Sequence, residues 1–114
     1  MRDNVKGGAL TETTFLILLA LYEPKHGYGI MQFIEDETNG RVSLGAGTLY
    51  GAINTLEKKG WIILHKEEGN SRKKVYKISE EGKSVVKKEI ERLRQLIKSA
   101  TKIVIEGEVV NEEI

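Results

Sequence analysis

Apolar residues recur three or four positions apart in the first part of the chain, the spacing that places them on one face of a helix. This pattern predicts a first helix over roughly residues 11–22 and a second over residues 28–38. Thr11 is suited to cap the first helix, and Pro24 lies just beyond its end. Asn39-Gly40 should end the second helix, because both residues tolerate the left-handed conformation found there.

A third helix is predicted over residues 46–59, after a short strand or extended link at residues 41–44. Leu49, Ile53 and Leu56 recur at intervals of four and three, so we expect them to face the core. The opposite face carries mostly small side chains or side chains that can form hydrogen bonds. The third helix therefore presents one apolar face and one hydrogen-bonding face.

A short β-hairpin should follow the third helix. An apolar run at residues 61–64 leads to a polar turn at residues 67–71, and a returning strand is expected at residues 75–78. The basic residues 72–74 should lie at the hairpin tip. An isolated two-stranded hairpin needs the helices behind it for stability. A helix packed against a hairpin with a cationic tip is the outline of a winged helix.

The last part of the sequence is predicted to be one long helix, residues 79–105, which Gly107 should end. A helix of about 25 residues is about 38 Å long and would extend past a core of this size, so its outer half needs a partner. An identical helix is the expected partner, with packing inside the monomer as the alternative. Apolar residues follow a heptad pattern, and the expected dimerisation residues are Val86, Ile90, Leu93, Leu96, Ile97, Ala100, Ile103 and Val104.

The predicted fold is mainly α with a small β-hairpin, organised as a winged helix-turn-helix with a long C-terminal dimerisation helix. The expected divisions are a flexible N terminus at residues 1–10, a DNA-binding domain at residues 11–78, the dimerisation helix, and an acidic tail at residues 106–114. The absence of cysteine excludes disulfides, a thiolate nucleophile and cysteine-ligated metals. No apolar run approaches the length of about 20 residues that spans a bilayer. No pair of a charged region and an apolar region marks a signal peptide, so we expect a cytoplasmic protein.

The net charge of +1 argues against a uniformly basic surface, so DNA binding has to depend on local charge. Residues 71–77 contain four basic side chains and no acid. Asparagine can form a paired hydrogen bond with adenine, hydroxyls donate to phosphates, and the start of the second helix favours a phosphate. The expected DNA contacts are Lys25, His26, Tyr28, Thr48, Tyr50, Gly51, Asn54, Thr55, Lys58, Ser71, Arg72, Lys73 and Lys74.

These residues also have structural interpretations. A charged hairpin tip can be merely solvated, and His26 can be a turn residue whose hydrogen bond is satisfied within the protein. Tyr28 and Tyr50 can cover the edge of the core, and Trp61 is expected to serve packing. The DNA interpretation depends on the combination and order of the elements rather than on one residue.

Several local motifs resemble the PadR family of bacterial transcriptional regulators. The matching segments are residues 17–21, Glu-Pro-Lys-His-Gly-Tyr-Gly-Ile at 23–30, Gly-Thr-Leu-Tyr at 47–50, Leu-Glu-Lys-Lys-Gly-Trp-Ile at 56–62, and residues 74–82. The resemblance covers roughly residues 12–105 and implies a homodimeric winged-helix repressor with a single C-terminal helix for dimerisation.

Two departures from the family pattern matter. Gly51 stands where the family often has proline. This glycine destabilises the start of the helix by up to about 1 kcal/mol relative to alanine and leaves the backbone open to a close approach of DNA. Some multidrug-sensing relatives hold planar compounds between tryptophans at the dimer centre, whereas the long helix here carries aliphatic residues and no aromatic one. This departure argues against a flat-aromatic drug site of that kind. A pocket for a small hydrophobic inducer, between the long helix, the first helix and their symmetry mates, would be lined by Phe15, Leu93, Leu96 and Ile97.

The sequence thus favours a homodimeric repressor that binds an inverted repeat in double-stranded DNA and is released by a small molecule or another signal. The alternative is a winged-helix module that binds protein and not DNA. An enzyme has little support, because His26 and His65 are the only histidines and no nucleophile elbow, phosphate loop or metal-ligand spacing is present. We expect no cofactor and no metal.

Overall fold

The computed structural model describes residues 8–68 and 73–113, and these contain four helices and three strands. The helices are α1 (Glu12–Ala20), α2 (Gly27–Glu37), α3 (Ala46–Lys59) and α4 (Glu80–Glu113). The strands are β1 (Lys25–His26), β2 (Ile62–Glu68) and β3 (Lys73–Ile78). Two compact units divide the chain: a winged-helix unit, Leu10–Val86, and a second unit that contains α4 from Lys87 onwards. The predicted fold class is confirmed.

The helix ends follow the local signals in the sequence. The Thr11 hydroxyl caps α1 by accepting a hydrogen bond from the Thr14 N–H at 3.1 Å. Asn39 and Gly40 adopt φ angles of 52° and 79° after α2, and Gly60 adopts 78° at the C-terminal cap of α3. Left-handed residues at these positions allow the following N–H groups to satisfy the last carbonyls of each helix.

The core of the winged-helix unit combines the apolar faces of the helices with side chains from β2 and β3. Leu49, Ile53 and Leu56 of α3 are 3% exposed or less, as their spacing predicts. Val86 also belongs to this core at 2% exposure. The prediction that Val86 lies on a dimer surface is therefore wrong, because the first turns of α4 use their apolar residues within the protomer.

The sheet has three antiparallel strands in the order β1-β3-β2, not the two of an isolated hairpin. The additional strand, β1, pairs Lys25 with Tyr76 and His26 with Val75. Two residues between a proline and a helix are too few to produce an alternating pattern, so the sequence gives no strand signal there. Residues 41–44, the segment expected to be a strand or link, contain no strand.

The start of α4 is fixed by Ser79, which caps the helix. Its hydroxyl accepts a hydrogen bond from the Gly82 N–H at 3.0 Å and donates to the Gly60 carbonyl at 2.6 Å. Gly82 allows this close approach, because an added Cβ would overlap the Trp61 carbonyl oxygen and lie 2.7 Å from Ile78 Cγ1. The cap therefore joins α4 to the end of α3.

The end of α4 differs from the prediction. The helix passes through Gly107 and continues to Glu113, so the segment expected to be an irregular acidic tail is helical. A glycine inside a helix costs about 1 kcal/mol relative to alanine, which neighbouring helix-forming residues can offset. No proline follows Gly107 to enforce an end. Of the N terminus predicted to be flexible, residues 1–7 lie outside the described residues.

Candidate nucleic-acid interface

The outward face of α3 carries the side chains predicted to read DNA. All of these side chains are exposed, while the opposite face is buried in the core. The exposed residues are Thr48, Tyr50, Gly51, Asn54, Thr55 and Lys58. The Thr55 hydroxyl donates to the Gly51 carbonyl at 3.2 Å, so its proton is already used within the helix. The face predicted from the sequence is thus available to a polar partner.

The first turn of α3 exposes its backbone. Gly45 occupies the N-cap position and provides no side-chain hydrogen bond, and the first N–H groups of a helix have no partner within it. A Cβ added at Gly45, Gly47 or Gly51 would meet no other atom within 4 Å. Packing within the protomer therefore does not require these glycines, and a partner can approach the backbone closely.

The start of α2 is organised by His26. Its Nδ1 accepts a hydrogen bond from the Gly29 N–H at 3.4 Å, so His26 is the N-cap of the helix. The imidazole also stacks on Tyr28, with 6.5 Å between the ring centroids. The structural interpretation of His26 as a turn residue with a satisfied hydrogen bond is confirmed, and only its other nitrogen remains for a ligand.

Lys25 is directed elsewhere. Its ammonium donates to the Ala20 carbonyl at 2.7 Å and lies 5.0 Å from the centroid of the Phe33 ring. The C-terminal end of a helix attracts a positive charge, because the last carbonyls are unpaired. In this structure the charge of Lys25 therefore stabilises the end of α1, and its assignment as a DNA contact stays a prediction.

A cleft of about 480 Å³ lies between the start of α2, the exposed face of α3 and strand β3. Gly27 is essential to its shape, since an added Cβ would overlap the Tyr50 hydroxyl. The absence of a side chain at Gly27 lets the α3 tyrosine reach the start of α2. The cleft is lined by His26, Gly27, Tyr28, Tyr50, Lys73, Lys74 and Tyr76, most of which were predicted as DNA contacts.

Gly27 and Tyr76 are cleft residues that the sequence prediction did not include. Alternation along β3 places Tyr76 on the same side of the strand as Lys74, which is a signal that the sequence does contain. No comparable signal identifies Gly27, because its role depends on the distance between two helices. Burial raises the pKa of Tyr76 above its ordinary value of 10.0, so the hydroxyl remains protonated at neutral pH.

The basic residues of the wing lie partly in a strand. Lys73 and Lys74 are the first residues of β3 and pair across the sheet with Glu68 and Glu67, so they belong to the strand next to the turn. Opposite charges at facing positions stabilise a strand pair, which lets β2 extend beyond its apolar run. Ser71 and Arg72 lie outside the described residues.

The expected inducer pocket remains a prediction. Phe15 is partly buried against the core of the winged-helix unit, whereas Leu93, Leu96 and Ile97 belong to the second unit.

Within residues 8–68 and 73–113, no group of three or more histidine, aspartate or glutamate side chains is arranged to hold a metal ion. In the same part of the chain, no helix combines the length and hydropathy that crossing a bilayer would need.

A helix-turn-helix with an exposed polar face, followed by an antiparallel wing, defines a DNA-binding transcriptional regulator of the winged-helix class. The model of the PadR-like family of transcriptional regulators matches residues 15–88, more than half of the chain. The chain belongs to this family, as its motifs predict.

Solved structures agree with this assignment. A transcriptional regulator from Clostridium thermocellum is 29% identical with a TM-score of 0.69, and the match covers 82% of this chain and 92% of that one. A PadR family regulator from Eggerthella lenta is 26% identical with a TM-score of 0.70, over 80% of each chain. RosR of H. salinarum, 23% identical with a TM-score of 0.63 over 89% and 96% of the two chains, shares the fold. A search of curated proteins finds no match.

Proposed function

We propose that this chain is a homodimeric, sequence-specific repressor that binds an inverted repeat in double-stranded DNA and is released by a small hydrophobic inducer. The observation that carries the proposal is the exposed hydrogen-bonding face of α3 in a winged-helix regulator. Tyr50, Asn54 and Lys58 recur every four residues and share this face. Asn54 is the side chain suited to a paired hydrogen bond with adenine, and Lys58 is suited to a phosphate.

The charge of one protomer supports only a modest affinity. Lys58, Lys73 and Lys74 account for about three phosphate contacts, so two protomers make about six. Release of the corresponding counterions lowers the affinity about 10³-fold between roughly 50 and 200 mM salt. A dimer is therefore needed for useful affinity at the salt concentration of a cell.

The second unit supplies a surface for dimerisation. Its apolar side chains follow a heptad pattern, and five of them are 40–67% exposed. They include Ile90, Leu96, Ile97, Ile103 and Val104. Burying such a stripe against the same stripe of a second copy removes apolar area from water at about 25 cal/mol per Å². A two-fold dimer places its two α3 helices about 34 Å apart, in successive major grooves.

The inducer acts through the geometry of this dimer. A compound that binds one arrangement of the two α4 helices more tightly shifts the population towards it and changes the spacing of the α3 helices. The side chains of Leu93, Leu96 and Ile97 are aliphatic, which favours a small hydrophobic compound over a flat aromatic one. The coupling free energy equals the difference between the binding free energies of the inducer for the two arrangements.

Selection of duplexes from a random-sequence library with the full-length protein tests the function. We expect an inverted repeat whose half-sites lie about one helical turn apart, with binding that weakens steeply as salt rises. Sedimentation of the free protein should give a dimer. Recovery of no salt-sensitive duplex, or of a site bound by a single protomer, would contradict the proposal.

A substitution in the heptad stripe separates dimerisation from folding. Ile97→Lys places a charge on the exposed stripe, and we expect a folded monomer that has lost operator binding. Lys98→Gln changes the adjacent exposed residue and should remain a dimer with nearly unchanged affinity. An Ile97→Lys protein that still sediments as a dimer would show that another surface joins the protomers.

A further inference from the structure

Tyr76 is a buried tyrosine whose hydroxyl remains available. The side chain is 5% exposed, yet no hydrogen bond joins its Oη to another residue in the described part of the chain. In the same residues, every fully enclosed side-chain nitrogen or oxygen has a partner. The Tyr76 oxygen must therefore reach open space, and the space that Tyr76 lines is the cleft beside α2. A ligand in this cleft can accept a hydrogen bond from the Tyr76 hydroxyl.

Two other elements, and the first residues of β3 itself, supply donors or positive charge to the same cleft. Tyr50 brings its hydroxyl from α3 to the start of α2, where Gly27 makes room for it. The Gly29 N–H is capped by His26, but the two N–H groups before it have no partner within α2 and lie at its positive end. Lys73 and Lys74 line the cleft from β3. Donors from a helix start, a neighbouring helix and a strand together fit an anion with several acceptor oxygens.

We propose that the cleft is a phosphodiester subsite, in which the hydroxyls of Tyr76 and Tyr50 donate hydrogen bonds to one phosphate of the DNA backbone. This inference rests on the proposed DNA-binding function and makes it more specific. A phosphate contact carries no sequence information but fixes the register of the protein on the duplex. Tyr76 and Tyr50 would hold the wing and α3 on the same phosphate, and so set how deeply α3 enters the groove.

Two carboxylates near Tyr76 give the proposal a second measurable consequence. After burial, the negative charge of Glu57 on α3 is the largest influence that raises the pKa of Tyr76, and Glu67 on β2 acts in the same direction. The raised pKa keeps the hydroxyl a donor at neutral pH. The same charges repel a bound phosphate, so Glu57→Gln should strengthen DNA binding.

The test uses the full chain and the duplex recovered by selection. Tyr76→Phe removes one oxygen and keeps the buried ring, so circular dichroism and thermal unfolding should match the wild type. We expect its dissociation constant for the duplex to rise at least about tenfold, because a hydrogen bond to a charged group is lost. Tyr22→Phe, which changes a half-exposed tyrosine outside the cleft, is the matched control and should change the constant by less than about twofold.

The salt dependence separates the tyrosine from the lysines. Tyr76→Phe releases no counterion, so the slope of log affinity against log salt should stay unchanged. Lys74→Gln removes a charge and should lower the magnitude of the slope by about one per protomer. An altered slope in Tyr76→Phe would mean that the substitution has disturbed the charged surface, and would overturn the assignment of the hydroxyl.

Neutral methylphosphonates, introduced at one backbone position at a time, locate the phosphate. One position in each half-site should weaken the wild type strongly and barely affect Tyr76→Phe, because that contact has already been removed. If every position weakens both proteins equally, the hydroxyl does not contact a phosphate and the inference is wrong.

Calorimetric titration of the free protein with inorganic phosphate and with a phosphate monoester distinguishes a DNA phosphate from a small ligand. The DNA assignment would be overturned if the free protein bound these anions through Tyr76 while no methylphosphonate position in the duplex distinguished the wild type from Tyr76→Phe. A wild type that binds the duplex with steep salt dependence while Tyr76→Phe binds equally well would refute only this inference. A wild type that binds no duplex would refute the proposed function itself.

Discussion

Gly27→Ala perturbs a single contact of the proposed interface. Gly27 is the first residue of α2, and the added Cβ would overlap the Tyr50 hydroxyl, lie 2.7 Å from Tyr50 Cζ and lie 3.2 Å from Cε1. These are the three nearest atoms, so the conflict involves one side chain. Non-bonded carbon atoms have an optimal separation of about 3.5–4.0 Å, so the Tyr50 ring must move by about 1 Å. Tyr50 is half-exposed, which leaves it space to move.

The expected effect on stability is the sum of two opposing contributions. Alanine is favoured over glycine within a helix by up to about 1 kcal/mol. Forcing Tyr50 from its preferred rotamer costs about 0.5–1.5 kcal/mol. We expect the free energy of unfolding to change by less than about 1 kcal/mol in the wild-type background. In a Tyr50→Ala background the second contribution disappears, and Gly27→Ala should stabilise the protein by up to about 1 kcal/mol.

Urea unfolding of the wild type, the two single variants and the double variant measures this coupling. The interaction free energy between the two substitutions should be about 0.5–1.5 kcal/mol in favour of the double variant. Affinity for the selected duplex should fall in Gly27→Ala, because the Tyr50 hydroxyl has left the cleft. If Gly27→Ala changed the free energy of unfolding equally in the wild type and in Tyr50→Ala, the Tyr50 hydroxyl would not lie against Gly27. That result would refute the predicted coupling.

Three further predictions follow from the same structure. Gly51→Ala should stabilise α3 by up to about 1 kcal/mol in urea unfolding but weaken DNA binding, and unchanged affinity would show that DNA does not approach this backbone closely. Gly82→Ala should destabilise the fold by about 1–3 kcal/mol, because its Cβ would overlap the Trp61 carbonyl oxygen; a stability gain like that of Gly51→Ala would contradict the close approach. Hydrogen bonds from Arg41 lower the pKa of Glu12 below its ordinary 4.5, so the pair stabilises the fold above that pH and ceases to do so as the pH falls through the lowered value. The melting temperature of Glu12→Gln should lie below that of the wild type at neutral pH and converge with it in acid; a gap that persists in acid would exclude this ion pair as its cause.

The sequence predicts α3 well because several independent signals agree there. Leu49, Ile53 and Leu56 mark the buried face by their spacing, and Gly60 marks the end of the helix. The polar face opposite then follows from geometry, without knowledge of the tertiary structure. The same agreement of local signals explains why the ends of α1 and α2 were predicted to within about two residues.

The features that the sequence could not provide depend on distant parts of the chain. Strand β1 exists because Lys25 and His26 lie beside Tyr76 and Val75 in space, not because of their own pattern. The destination of the Lys25 ammonium depends on where α1 ends. The role of Gly27 depends on how closely α2 and α3 approach. Tertiary contacts decide such details, and residue spacing along one element does not contain them.

The cap of α4 has a mechanical consequence. The Ser79 hydroxyl joins Gly60, the C-cap of α3, to the first turn of α4, and the Ser79 N–H donates to the Trp61 carbonyl at 3.0 Å. Within the winged-helix unit, a rotation of the first turn of α4 must therefore either break these hydrogen bonds or carry the end of α3 with it.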